Sequence, residues 1–179
     1  MKNQKEIEKI FIKHRFKDFK WINPQKIIVS HWVRLKCMYG CKEYGKNACC
    51  PPNTPSVDEC QKFFMEYNEC VIFHIKKKFL KPEQRYGWTR GINERLLKLE
   101  QEVFFTGNQK TFLMFIDSCN ICTNCSKERI TCNYKISARP TPEAMAVDVF
   151  STARQLNYPI KILHDYSETM NRYAFLLIK

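Results

Sequence analysis

Four cysteines, Cys119, Cys122, Cys125 and Cys132, fall within the fourteen residues that begin at the first cysteine of "SCNICTNCSKERITC". The stretch "KCMYGCKEYGKNACCPP" adds Cys37, Cys41, Cys49 and Cys50, so two short segments hold eight of the ten cysteines. Thiols crowded this way shape the fold through whatever they bind, because ligation and folding become one process.

Compartment decides how such thiols are read. The N-terminus "MKNQKEIEKIFIKHRF" is charged throughout and lacks the apolar core of a secretory signal. No apolar run approaches the ~20 residues that span a bilayer. The expectation is a cytoplasmic protein without a membrane segment. In a reducing cytosol, dense cysteine motifs point to metal or redox centres before disulfides. Iron–sulfur is the first reading here, zinc the second and a disulfide framework the third.

The spacing Cys119-x2-Cys122-x2-Cys125 lets one loop wrap three thiolates around a cubane cluster, as bacterial ferredoxins do, and Cys132 can close the site locally. A tetrahedral zinc site more often uses two separated pairs, so three thiols in seven residues favour a 4Fe–4S cluster. In the first stretch, Cys37-x3-Cys41 forms a local pair and Cys50 supplies a third thiolate where Pro51 and Pro52 stiffen the chain. Cys49 and Cys50 are adjacent and point differently. The fourth ligand there is left open between Cys49, a residue from another segment such as His31, and none at all. Cys60 and Cys70 stand alone in regular patterns and read as small buried hydrophobes. His74 reads as a strand residue.

Other chemistries find no support. A radical-SAM loop would need a cysteine where Tyr44 stands, and haem attachment would need histidine at Thr123 or Ser126. There is no Walker loop, no Gly-x-Gly-x-x-Gly and no nucleophile elbow. No catalytic residue is named, and whether the chain is an enzyme stays open.

Hydrophobic periodicity supplies the elements. Residues 5–14 form a short amphipathic helix, and "KIIVSHWVRLKC" reads as a strand running into the first cysteine loop. "PSVDECQKFFMEYNE" is a helix with Ser56 and Glu59 at capping-box spacing. "CVIFHIKKK" is a strand. "GINERLLKLEQEVFFTG" is a helix stopped at Gly107, and "KTFLMFID" is a strand leading to the second cysteine loop. "TPEAMAVDVFSTARQLN" is a helix capped by Thr141, and "IKILH" with "RYAFLLIK" completes a terminal strand pair. The expected fold is a single α/β or α+β domain over 1–179, with residues 1–29 as an N-terminal extension. It would hold a mixed sheet with flanking helices and two cysteine-rich cluster-binding loops.

Three segments, "KCMYGCKEYGKNACCPPNTPSVDE", "GNQKTFLMFIDSCNICTNC" and "ARPTPEAMAVDVF", together resemble an uncharacterised prokaryotic family of cysteine-rich predicted metal-binding proteins, over about residues 30–179. The resemblance implies metal ligands at Cys37, Cys41, Cys50, Cys119, Cys122, Cys125 and Cys132. It implies no particular reaction, and the family is common in strict anaerobes. The chain departs from the family pattern at Cys49 and at Asn133–Tyr134.

Charge suggests partners. The formal net charge is +12, with +7 in residues 1–36 and +6 in residues 71–98. Such a surface suits an acidic redox protein or larger oxidoreductase, and less directly a nucleic acid. The leading functional reading is a protein with two 4Fe–4S clusters that transfers electrons in an anaerobic redox system. The alternatives are an enzyme or maturation factor with an open iron, or a zinc-binding nucleic-acid module.

Overall fold

Residues 70–77 are apolar on both faces until the lysines begin, the pattern of a strand covered on both sides. In the computed structural model, which describes residues 2–79, 81–165 and 167–179 (backbone only at 2 and 3), this is strand β2, Cys70–Lys77. It pairs with β1 (Phe19–Ile22) on one edge and with β4 (Met170–Leu177) on the other. β3 (Phe112–Met114) completes the order β1-β2-β4-β3. Every pairing among the described strands is antiparallel. The fold is therefore α+β, with an antiparallel sheet in place of the expected mixed one.

Alternation along the strands divides the core in two. Val71, Phe73, Ala174 and Leu176 face α1 (Lys2–Lys13) and α4 (Gln84–Phe105), meeting Ile7, Phe11, Leu96 and Leu99. Ile72, Tyr173, Phe175 and Leu177 face α3 (Val57–Met65) and α5 (Val149–Gln155), meeting Cys60, Phe64 and Ala153. Phe73 and Phe175 are almost fully buried, and truncating either to alanine would cost ~3–5 kcal/mol. The extension at residues 1–29 is built into this body, since α1 and β1 both contribute core residues.

The capping box on α3 forms: Ser56 Oγ accepts from Glu59 N, and Glu59 Oε2 accepts from Ser56 N at 2.8 Å. Gly107, at φ 92°, follows α4 as its stop. Cys60 and Cys70 are buried in the core. His74 lies in β2, with Nδ1 2.7 Å from Asp18 and Nε2 2.8 Å from Asn171.

Three expected elements take other forms. In "KIIVSHWVRLKC" the chain is extended only as far as Ser30; α2, His31–Gly40, follows. β propensity is the weaker influence there, because Val29 already makes its bridge to Val147 and of the helix residues only Val33 is buried. The expected helix from Thr141 is broken. A 3₁₀ turn at Glu143–Met145 ends in left-handed Ala146, and α5 restarts with Asp148 as its N-cap. "IKILH" is not a strand, because β4 already has β2 and β3 on its two edges.

Candidate metal centre

The Cys-x3-Cys spacing of the first stretch is a helix repeat. Cys37 lies in the last turn of α2, and Cys41 caps it by donating its N–H to Cys37 O at 3.3 Å, so the two thiols stand one turn apart. Beyond Cys41 the chain folds back tightly. Gly45 sits at φ 72° and donates to Pro51 O at 3.1 Å, a left-handed position that suits glycine. Asn47 then anchors the next turn, its Oδ1 accepting from Cys49 N at 2.9 Å.

The second loop, from Ser118 to the Thr141 turn, has no helix or strand of its own and is laced to the first loop. Asn47 Nδ2 donates to Cys119 O at 2.8 Å and Asn53 Nδ2 to Lys127 O at 2.8 Å. Arg129 N donates to Asn53 Oδ1 at 3.2 Å, and Ala48 N donates to Cys125 Sγ at 3.4 Å. On the far side, Arg90 Nε donates to Asn120 O at 2.8 Å, tying the loop to α4.

This lacing sorts the thiols into two groups. In the first, Cys37, Cys41 and Cys50 line a cavity of about 170 Å³ together with Asp117, Ser118, Thr141, Glu143 and Arg172. Burial pushes the Cys50 thiol up to about 12 even though Ser118 hydrogen-bonds it. Burial also raises Cys37, with the charges of Cys41 and Glu143 adding to the effect.

In the second group, Cys49 and Cys132 are buried side by side with Ala48 and Ala138, and Cys119 and Cys125 pack against them. Cys122 is near enough to Cys125, Cys119 and Cys132 for their charges to raise it, after desolvation. Cys119 is the acidic member, lowered chiefly by a hydrogen bond with Cys49, and further by the backbone N–H groups of Ile121 and Arg139. Cys49 is correspondingly raised, first by that bond and then by burial, so the Cys49 thiol donates to the Cys119 sulfur.

All ten cysteines are free thiols. The seven expected ligands are thus split three and four, with Cys49 added to the four. His31 lies apart, 3.4 Å from Asp58. Among the described residues, no three His, Cys, Asp or Glu side chains converge on one point as a single-ion site. Soft sulfur donors in these numbers suit zinc or iron–sulfur clusters and do not suit calcium or magnesium.

Sequence reasoning missed the polar frame. Asn47 and Asn53 hold the loops together, and Asp117, Glu143 and Arg172 line the cavity. Asp117 and Ser118 directly precede Cys119, a proximity that could have drawn notice. Arg172 lies in β4, forty residues beyond the last ligand candidate, with no local signal to link them.

A family model described as "Predicted metal-binding protein (DUF2284)" matches residues 20–178. No curated protein and no solved structure matches the chain.

Proposed function

The chain belongs to the DUF2284 family of predicted metal-binding proteins, and from that premise we propose that it is a cytoplasmic iron–sulfur protein moving electrons for a larger anaerobic redox system. Two 4Fe–4S clusters would be held, one by Cys119, Cys122, Cys125 and Cys132, the other by Cys37, Cys41 and Cys50. The observation that carries this reading is the division of the thiols. Cys49 turns to the second group, so the two sets of donors do not compete.

When bound, such clusters supply one-electron redox chemistry. The chain's own part is to hold and tune them. Cys119 receives hydrogen bonds from the Cys49 thiol and from two backbone N–H groups, and hydrogen bonds to sulfur together with burial set a cluster's potential. A docking face for an acidic partner is supported by α2, which exposes Trp32, Leu35, Met38 and Tyr39 around Lys36, next to Cys37. Apolar anchors with a basic rim favour encounter with an acidic surface. Among the described residues, no helix is long and apolar enough to cross a membrane.

A second reading follows from the cavity. With only three thiols, the first group leaves room for a non-protein ligand, as an enzyme or maturation factor would need. Metal content decides the outline. Anaerobically isolated protein is expected to be brown, with about eight iron and about eight sulfide per chain. Colourless protein with about two zinc ions per chain would overturn the iron–sulfur reading and favour a zinc module.

A further inference from the structure

We propose that the chain binds a small monocarboxylate with an apolar body, in the cleft that Arg172 of β4 and Arg85 of α4 line together. The cleft holds about 340 Å³, a volume in the range of small-molecule sites. None of the ten cysteines lines it, so the proposal stands apart from the metal reading.

The sheet makes room for this cleft. β3 pairs with β4 only at Phe175–Leu177, so Met170 and Arg172 have a described strand beside them on the β2 side alone. By strand alternation the two share the face of Ala174 and Leu176, which packs toward α4. Arg85 stands in the first turn of α4, at the positive end of that helix's dipole. The loop at 163–165 adds another wall. Glu168 holds it in shape, its Oε1 accepting from His164 N at 2.8 Å while its Oε2 pairs with Lys161.

Arg172 carries the inference. Its Nε is buried without a hydrogen-bond partner, and Arg172 takes part in no ion pair among the described residues. Glu143 faces it from the neighbouring cavity but does not pair with it. A buried guanidinium left without an acceptor calls for one, and a carboxylate matches its planar fork. The other charges of the cleft are already engaged or open to water. Arg85 holds Asp117 through Nε at 2.7 Å and Nη2 at 2.5 Å. Asp165 is exposed, and its Oδ1 accepts from Ser167 N at 2.5 Å. His164 is exposed as well.

One unpaired cation calls for one negative charge. That favours a carboxylate over a dianionic phosphate monoester, whose second charge Asp165 would repel. The remaining walls are apolar: Phe79 and Met170 are buried, and Phe79 is fixed by an edge contact with Trp88 at 5.4 Å between ring centres. Together with Leu163 they suit a hydrocarbon body. Arg172 also lines the cavity of Cys37, Cys41 and Cys50, so a carboxylate held by it would lie beside that cavity.

The test is calorimetric titration of the full chain, isolated anaerobically, with phenylacetate, isovalerate, phenylacetamide and phenyl phosphate. At least one of the two carboxylates should bind at a single site. The neutral amide and the phosphate should bind about tenfold or more weaker than phenylacetate. Arg172→Met should weaken carboxylate binding about tenfold or more, and Arg172→Lys, which keeps the charge without the fork, should recover part of it. Leu163→Glu leaves Arg172 in place, sets a like charge in the wall and should abolish binding. Ile162→Glu, at an exposed position outside the cleft, should bind as wild type does. Absence of saturable heat with both carboxylates overturns the proposal, as does equal binding of phenylacetate and its amide. Tighter binding of phenyl phosphate overturns the single-charge assignment. Binding that persists in both Arg172→Met and Leu163→Glu, or is lost equally in Ile162→Glu, overturns the site.

Discussion

Cys49 and Cys50 share a peptide bond and face different thiol groups. The Cys49 thiol donates to Cys119, while Cys50 lines the cavity with Cys37 and Cys41. The turn anchored by Asn47 produces the split: its Oδ1 takes Cys49 N, and its carbonyl accepts from Cys50 N at 3.1 Å. One short loop thereby serves two sites.

Cys49→Ala is expected to leave the metal count unchanged and to act on the second group alone. Losing a hydrogen bond to Cys119 makes that sulfur more electron-rich, so the group's reduction potential should fall. Cys49→Ser, which keeps a donor, should restore part of the shift. Redox titration of the three proteins checks this; loss of metal from the first group in Cys49→Ala would contradict it.

Cys60 and Cys70 should behave as packing residues. Both are fully buried in the core facing α3 and α5, and neither belongs to a thiol group. Cys60→Ala and Cys70→Ala are each expected to keep full metal content and to lose on the order of 1 kcal/mol, read as a shift in urea midpoint. Metal loss from either variant would show that it is a ligand.

Arg139 should matter more to stability than its partial exposure suggests. Its Nε and Nη2 meet the buried Glu100 carboxylate at 3.0 and 2.9 Å, and Glu100 Oε1 also accepts from Leu113 N at 2.9 Å. Arg139→Ala strands that charge and is expected to cost about 3 kcal/mol. It also frees the end of the second loop, so metal should leave the second group before the first during chelator challenge. Equal rates of loss would count against this coupling.

The α3 capping box carries a pH signature. Hydrogen bonds from Ser56 lower the Glu59 carboxyl below its ordinary value. A carboxylate with a lowered folded pKa stabilises fully above its unfolded value of about 4.3 and loses the contribution as pH falls through the folded one. Glu59→Gln should therefore be less stable than wild type at pH 6, with the gap narrowing as the pH falls through the lowered folded value. Ser56→Ala should cost about 1 kcal/mol near neutrality. Denaturation midpoints followed from pH 6 downward measure both, and a gap that widens toward low pH would refute the assignment.

Short-range features were legible in the chain itself. The capping box at Ser56, the apolar run of β2, the stripe of α4 and the burial of Cys60 each depend on residues a few positions apart, and propensity and periodicity express such relations directly. The two cysteine stretches were visible for the same reason. Relations between distant segments were decided only on folding. The Val29–Val147 bridge joins residues over a hundred positions apart, beside the start of α2 and the break after Thr141, and β4 between β2 and β3 leaves "IKILH" without a strand to join. The same holds for the site. Spacing brought the four later cysteines together, yet Cys49 joined them through contacts across some seventy residues, and Glu143 reached the first group through a turn that local helix signals argued against. Tertiary contacts prevailed at these points because a single bridge, a cap or a buried bond outweighs the few tenths of a kcal/mol by which neighbouring residues prefer one backbone conformation.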